Sequence, residues 1–174
     1  MMNDILYVKS TQTITMDIVD KQTNKQTRSR MMANIKGKNT KPEISIRSLL
    51  HRQGFRFRIH DKSLPGTPDL VFRKYKAVIF VHGCYWHRHD DCKLTSTPKQ
   101  NKKFWVNKFN ATVARDGAVY FKLKVQGWRV SIIWECAIRD KDHLPVHINT
   151  LADWLKSESE YIEIPEFFAE QGDV

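Results

Sequence analysis

Disulfide chemistry has little to work with in this chain. Its 174 residues include three cysteines, Cys84, Cys92 and Cys136, and an odd count excludes a self-contained disulfide framework while fitting a reducing compartment. Long apolar runs are missing as well. The strongest, AVIFV at 77–81, falls far short of the ~20 residues that a membrane-spanning helix needs. The first residues hold no apolar signal segment followed by a small-residue cleavage site, so a cytoplasmic protein is expected. Acidic residues are the third shortage: 19 Asp and Glu stand against 29 Lys and Arg, a formal net charge of +10. A surplus of that size favours a polyanionic partner, with nucleic acid first, over a protein that is merely basic. The length suits one domain of ordinary size.

What the chain does have is concentrated between Pro68 and Cys92, PDLVFRKYKAVIFVHGCYWHRHDDC. Asp69 opens a strand-like run, DLVF, and a stronger strand, AVIFV, ends at His82. If the two strands are neighbours, Asp69 and the His82 end lie side by side. A carboxylate and strand-end carbonyls suit Mg²⁺, a hard cation that takes oxygen ligands. Beyond Gly83 the donors become softer. Cys84, His87, His89 and Cys92 at close spacing suit Zn²⁺, and three thiolates with one imidazole would complete a closed tetrahedral site.

The rest of the chain frames that stretch. Residues 1–20 are polar and aperiodic and read as a flexible extension. Residues 21–41 are densely basic (Lys25, Arg28, Arg30, Lys36, Lys38 and Lys41, with Met31 and Met32 between them) and form either a solvated face or an arm that tracks phosphates. Thr40-Lys41-Pro42-Glu43 is a capping box, opening a helix to about Gly54 that buries Ile44, Leu49 and Leu50. FRFRIH at 55–60 alternates as a half-buried strand, and Pro65-Gly66-Thr67-Pro68 is a turn that delivers Asp69. A long helix is expected over 101–126, ended by Gly127, with Trp105, Phe109, Val113, Tyr120 and Leu123 as a core stripe. Its front carries Lys99, Lys102, Lys103 and Lys108 as a phosphate-contacting face. WRVSIIW at 128–134 is a further strand, Ile148, Leu151, Ala152 and Leu155 mark an amphipathic helix, and 157–174 is a weakly specified tail. This order implies an α/β fold, a single mixed sheet with helices on both sides.

PGTPD, FVHGCYWH and the later Trp134-Glu135-Cys136 together resemble the very-short-patch repair (Vsr) DNA mismatch endonucleases, a branch of the restriction-endonuclease-like PD-(D/E)XK nucleases. The resemblance runs from about Arg28 to about Arg139, within an endonuclease domain placed at 21–156. It implies a restriction-endonuclease-like sheet with a structural zinc site. It also implies Mg²⁺ held by Asp69 and the main-chain carbonyl of Val81, where some relatives carry threonine. The superfamily places a carboxylate and a lysine on the second strand; Phe80-Val81-His82 stand there instead, as in the Vsr branch. Proton handling then falls jointly to His82 and His87, whose side chains exchange protons near neutral pH. Glu43 is either a helix cap alone or the glutamate that this nuclease class points into the metal site. Zinc would be held by Cys84, His89, Cys92 and Cys136. The spacing C-x4-H-x2-C is one residue longer than the family pattern, and the extra residue in Asp90-Asp91 makes His87 an alternative ligand. Arg28 and Arg30 would wrap DNA, Met32 would approach the opened base step, and Tyr85 and Trp86 are either plain core or a wedge between base pairs.

By that resemblance the expected substrate is double-stranded DNA with a T:G mismatch arising from deamination of 5-methylcytosine, nicked on the thymine strand. A cytosine-5 DNA methyltransferase and mismatch-repair proteins are the implied functional partners, and a monomer near the nucleoid of a prokaryote suffices for one nick. Two other readings stand beside it: a sequence-specific restriction-type nuclease, and a non-catalytic zinc-stabilised DNA-binding module.

Overall fold

The structure, a computed structural model, describes residues 37–165. The chain divides into units at 1–40 and 41–174, and every element below belongs to the second. Residues 1–36, with Arg28, Arg30 and Met32, lie outside the described part.

The first helix, α1 (Lys41–Arg52), buries Glu43, Ile46 and Leu50. These positions fall at i, i+3 and i+7, one stripe of a helix. Ile44 stands off that stripe and is 52 % exposed, which corrects the expectation that it belongs to the core. The FRFRIH segment does not form a strand. Arg58 alone bridges to Val71, while Phe55 turns into the core and the backbone leaves the extended conformation at His60, where φ is +49°.

Two apolar runs make the centre of the sheet. β1 (Leu70–Phe72) lies antiparallel to β2 (Ala77–His82) with Leu70 opposite Ile79. A 3₁₀ turn at Arg73–Tyr75 and a left-handed Lys76 close the tight connection. β2 is followed by one helical turn, α2 (Cys84–His87), and by the long helix α3 (Lys102–Val125). The chain then returns in β3 (Arg129–Trp134), parallel to β2 with His82 opposite Trp134. After α4 (Glu135–Arg139) and α5 (Leu144–Lys156), β4 (Tyr161–Ile164) adds a further parallel strand beside β3. The order β1-β2-β3-β4 is a mixed α/β sheet flanked by helices. β4 falls within the region read as a weakly specified tail.

Side chains alternate between two buried faces, as the period of a strand requires. Leu70, Phe72, Ala77, Ile79, Ile133 and Ile164 face α1, α4 and α5, whereas Val71, Val78, Phe80 and Val130 face Leu123 of α3. Strands buried on both faces read as continuous apolar runs, which is why AVIFV and VSIIW stand out. The core stripe expected on α3 is narrower in fact. Phe109 and Leu123 are buried, Trp105 and Tyr120 are half-buried, and Val113 is 48 % exposed. Arg129 ties the sheet to α5: its guanidinium donates to the carbonyls of Trp154, Leu155 and Ser157 at the helix C-terminus, and to Tyr75. No helix among the described residues is long and apolar enough to cross a membrane.

Candidate active site and metal centre

Antiparallel pairing of β1 with β2 sets the first corner of the site. Asp69, the residue before β1, reaches across to β2 and its Oδ2 accepts the Val81 N–H at 2.8 Å. The turn that delivers it is pressed onto α3: Gly66 has φ +72°, and a Cβ there would collide with the Val119 side chain. Glu43 enters from α1, 4 % exposed, with Arg47 Nη2 at 2.6 Å from its Oε2. His60 stands between the acids, 3.6 Å from Glu43 Oε2 and 3.9 Å from Asp69 Oδ1. Donor atoms of Glu43, His60 and Asp69 all lie within 4.8 Å of one another. Burial, reinforced by the neighbouring Glu43 charge, pushes the Asp69 carboxyl up to about 6 against the pull of the Val81 N–H, Arg47 and His87. Two acids drawn together out of water at that electrostatic cost suit a hard divalent cation, which removes the repulsion.

At the end of β2 the chain turns through Gly83 into α2, and this turn brings His87 back over His82. The two rings stack with centroids 3.7 Å apart and planes at 17°. Asp116, from the middle of α3, lies 2.6 Å from His87 Nδ1. Burial raises the Asp116 carboxyl, but the His87 hydrogen bond and charge outweigh it and leave it below the usual range. An ionised carboxylate only accepts, so His87 donates from Nδ1, and in the neutral ring Nε2 is the acceptor. His82 is different. It is 5 % exposed, the Tyr120 hydroxyl lies 3.4 Å from either ring nitrogen, and burial followed by the His87 charge pushes its pKa down to about 3.

The soft donors gather behind α2. Cys84, His89, Cys92 and Cys136 place one donor atom each within 4.8 Å of the others. His89 Nδ1 is 3.7 Å from Cys84 Sγ and 3.3 Å from Cys136 Sγ. In a tetrahedral zinc site, bond lengths of about 2.3 Å to sulfur and 2.0–2.1 Å to nitrogen give N–S edges of roughly 3.6 Å. Burial, and then the neighbouring thiols, push the Cys84 thiol upward, an imbalance that a bound cation reverses. The residues present therefore fit a closed soft-donor metal site. Between His89 and Cys92 the chain turns at Asp91, whose φ is +46°. His87 sits instead with His82 and Asp116, so the alternative ligand set is not the one assembled. His89 is further held by stacking on Trp134, 4.3 Å between centroids.

On the same short helix, Tyr85 and Trp86 belong to none of the core clusters. Both are half-buried and join an aromatic group with Trp105 and Phe109 of α3 through contacts of 5.0–6.3 Å between centroids. Lys108 lies over both Trp86 and Trp105, and Arg88 over Phe109. Phe104, 60 % exposed, continues the group outward.

The comparison with known proteins bears directly on this arrangement. A family model described as DNA mismatch endonuclease Vsr matches residues 16–94. The DNA mismatch endonuclease Vsr of Escherichia coli (strain K12) is 41% identical over 143 residues, covering 81% of this chain and 91% of that protein. The chain belongs to the Vsr family. It is also similar to the type II nicking enzyme V.XorIIP of Xanthomonas oryzae pv. oryzae, 43% identical over 123 residues, 71% of this chain and 90% of that protein. A second nicking enzyme, V.NmeAIP of Neisseria meningitidis, is 40% identical over 129 residues, 74% of this chain and 91% of that one.

As a member of the Vsr family the chain is a nuclease that hydrolyses DNA, and the non-catalytic module is set aside. The geometry unites Asp69 with Val81, His82 with His87, and the four soft donors with one another. It adds Asp116, Tyr120 and Trp105, which sequence reasoning assigned no role in the chemistry. Asp116 and Tyr120 are four residues apart, on one face of α3, and that spacing is the only signal of them in the chain. Nothing local says that this face meets the histidines.

Proposed function

We propose that this Vsr-family nuclease nicks the thymine-containing strand at a T:G mismatch arising from deamination of 5-methylcytosine, on a restriction-endonuclease-like sheet. The observation that supports it most is the convergence of three donor sets around the end of β2: acids at Asp69 and Glu43, a proton-handling pair at His87–Asp116, and soft donors behind α2. Mg²⁺ bound at Asp69 and the Val81 carbonyl would supply Lewis-acid stabilisation of the phosphate and leaving oxygen. Zn²⁺ bound by Cys84, His89, Cys92 and Cys136 would fix α2 against α4.

The chain's own residues supply the rest. Asp116 holds the His87 Nδ1–H, which leaves Nε2 to take a proton from the attacking water. His82, neutral and stacked beneath it, sets the height and tilt of that ring. This divides a role that the residues alone left shared: His87 moves the proton and His82 positions it. Glu43 stands against Asp69 as a second acid. Tyr85 and Trp86, with Trp105 beside them, form a stacking face that enters a weakened base step at less cost than a paired one. Strand scission at one site needs one active centre, so a monomer suffices. A cytosine-5 methyltransferase would create the substrate, and mismatch repair would complete the exchange.

The similarity to relatives named type II nicking enzymes keeps a second reading in view, a restriction-type nuclease that cleaves matched DNA at a specific sequence. Duplexes that differ only in a T:G, C:G or 5-methyl-C:G pair, each strand end-labelled, separate the two. Selective nicking of the T strand supports the proposal; equal cleavage of matched and mismatched duplexes supports the alternative.

A further inference from the structure

We propose that Arg47 and His60 form a positioning pair that pins the Glu43 carboxylate against Asp69 and so shapes the acidic corner for its cation. The inference rests on the reading of Asp69 as the residue that holds a hard metal.

Glu43 and Arg47 lie at i and i+4 on α1, 2.6 Å apart, with side chains only 6% and 13% exposed. A pair withdrawn from water differs from a surface ion pair, because removing one partner leaves the other charge buried. His60 reaches the same point from another element. The bridge between Arg58 and Val71 anchors its segment to β1, with hydrogen bonds of 3.0 and 2.8 Å. Two residues later His60 adopts φ +49°, a left-handed conformation that non-glycine residues keep where surrounding structure imposes it. The ring then lies between the two acids.

The direction of each hydrogen bond follows from chemistry. Arg47 Nη2 lies 3.0 Å from His60 Nε2, and a guanidinium only donates. His60 Nε2 is therefore the acceptor and the ring hydrogen sits on Nδ1, facing Asp69 Oδ1. With Nε2 engaged by Arg47, His60 acts through the guanidinium that grips Glu43, in place of ligating a cation. Arg47 offsets the Glu43 charge, which lets two acids share a corner while Asp69 stays available. Removing Arg47 frees Glu43 to move but leaves the corner more negative. Turnover should fall without loss of cation affinity, a split that general weakening of the fold does not produce.

The test uses the full chain and the variants Arg47→Ala, Arg47→Lys, His60→Ala, His60→Gln and Asp69→Asn. Mn²⁺ binding is read from the free-ion EPR signal, single-turnover nicking of a T:G duplex across Mg²⁺ concentrations, and the His60 tautomer from ¹⁵N NMR of the unsubstituted protein. The expected result is a saturating rate reduced about tenfold or more in Arg47→Ala and His60→Ala, with Mn²⁺ affinity unchanged or tighter, and substantial recovery in Arg47→Lys and His60→Gln. NMR should show hydrogen on Nδ1. If both alanine variants nick at the normal saturating rate while Asp69→Asn is inactive, the pair has no such role and the Asp69 reading stands. Weakened Mn²⁺ binding with a normal saturating rate would make His60 a ligand and overturn the positioning role. Normal nicking by Asp69→Asn would remove the reading beneath the proposal. Should the alanine variants not fold, the NMR result decides: hydrogen on Nε2 overturns it.

Discussion

His82 and His87 stack face to face, yet their surroundings differ. His87 is hydrogen-bonded to Asp116, while His82 is buried beneath it and its pKa lies at about 3. His87→Ala should slow single-turnover nicking by about 10²–10⁴-fold, the usual range for a lost acid–base group, with DNA affinity retained in a binding titration. Asp116→Asn should slow it less, since it leaves the ring in place and removes what fixes its tautomer. His82 also predicts a pH dependence of stability. Its folded pKa lies below the unfolded value, so its contribution is present above pH ~6.5 and is lost as pH falls toward about 3. His82→Gln should flatten the fall of urea-unfolding free energy across that window. An equal slope in both proteins would show that His82 titrates normally. Asp69 carries the opposite sign. Its folded pKa is raised to about 6, so its contribution is present at low pH and is lost as pH rises through that value. Below it, protons compete with the cation, and the Mg²⁺ concentration for half-maximal nicking should rise.

At the scale of elements, α2 has more than one task. Cys84 faces the soft-donor site, Tyr85 and Trp86 the aromatic face, and His87 the histidine pair. Zinc removal should therefore loosen the chemistry and the wedge together. With zinc in the soft-donor site as proposed, elemental analysis should find about one zinc per chain in the unsubstituted protein and less in Cys136→Ala, whose thermal stability should fall because structural zinc contributes on the order of 10 kcal/mol in small sites. Trp86→Ala should cut T:G nicking by about 10–100-fold, as expected for lost stacking of ~1–3 kcal/mol, while affinity for matched DNA changes little. Equal losses on both duplexes would return Trp86 to a packing role. Arg129, which closes the end of α5 through three carbonyls, should cost about 2–3 kcal/mol when replaced by alanine, seen as a lower urea midpoint with an unchanged slope.

The same scale shows what local sequence can carry. β2 and β3 are legible because both their faces are buried, so their residues are mostly apolar. The soft donors are legible as a group because three lie within residues 84–92 and the fourth follows a clear strand, whereas the choice of His89 over His87 came from the family resemblance. FRFRIH has the alternation of a strand but only one bridging residue; its phenylalanines pack on Phe72 and Tyr75 without the pairing that the pattern implies. β4 is short and acidic and exists because β3 offers a free edge. Asp116 and Tyr120 carry no motif at all. Their partners are His87 and His82, 29 and 38 residues away, and only the packing of α3 on the sheet makes the contacts.

The whole molecule carries a charge of +10, which positions DNA without naming a base. Binding to matched and mismatched duplexes should weaken in parallel as salt rises, and Arg28→Ala should reduce the salt slope by about 0.9 for both, the increment for one phosphate contact. On the proposed function, discrimination belongs to the aromatic face and cleavage to the corner at the end of β2. The most direct test of that division is the single-turnover nicking rate of Asp69→Asn on a T:G duplex in saturating Mg²⁺, with duplex affinity measured on the same samples. The account predicts a rate lowered by about 10³-fold or more at nearly unchanged affinity, the signature of an interaction needed only in the transition state. A rate close to that of the unsubstituted protein would contradict it.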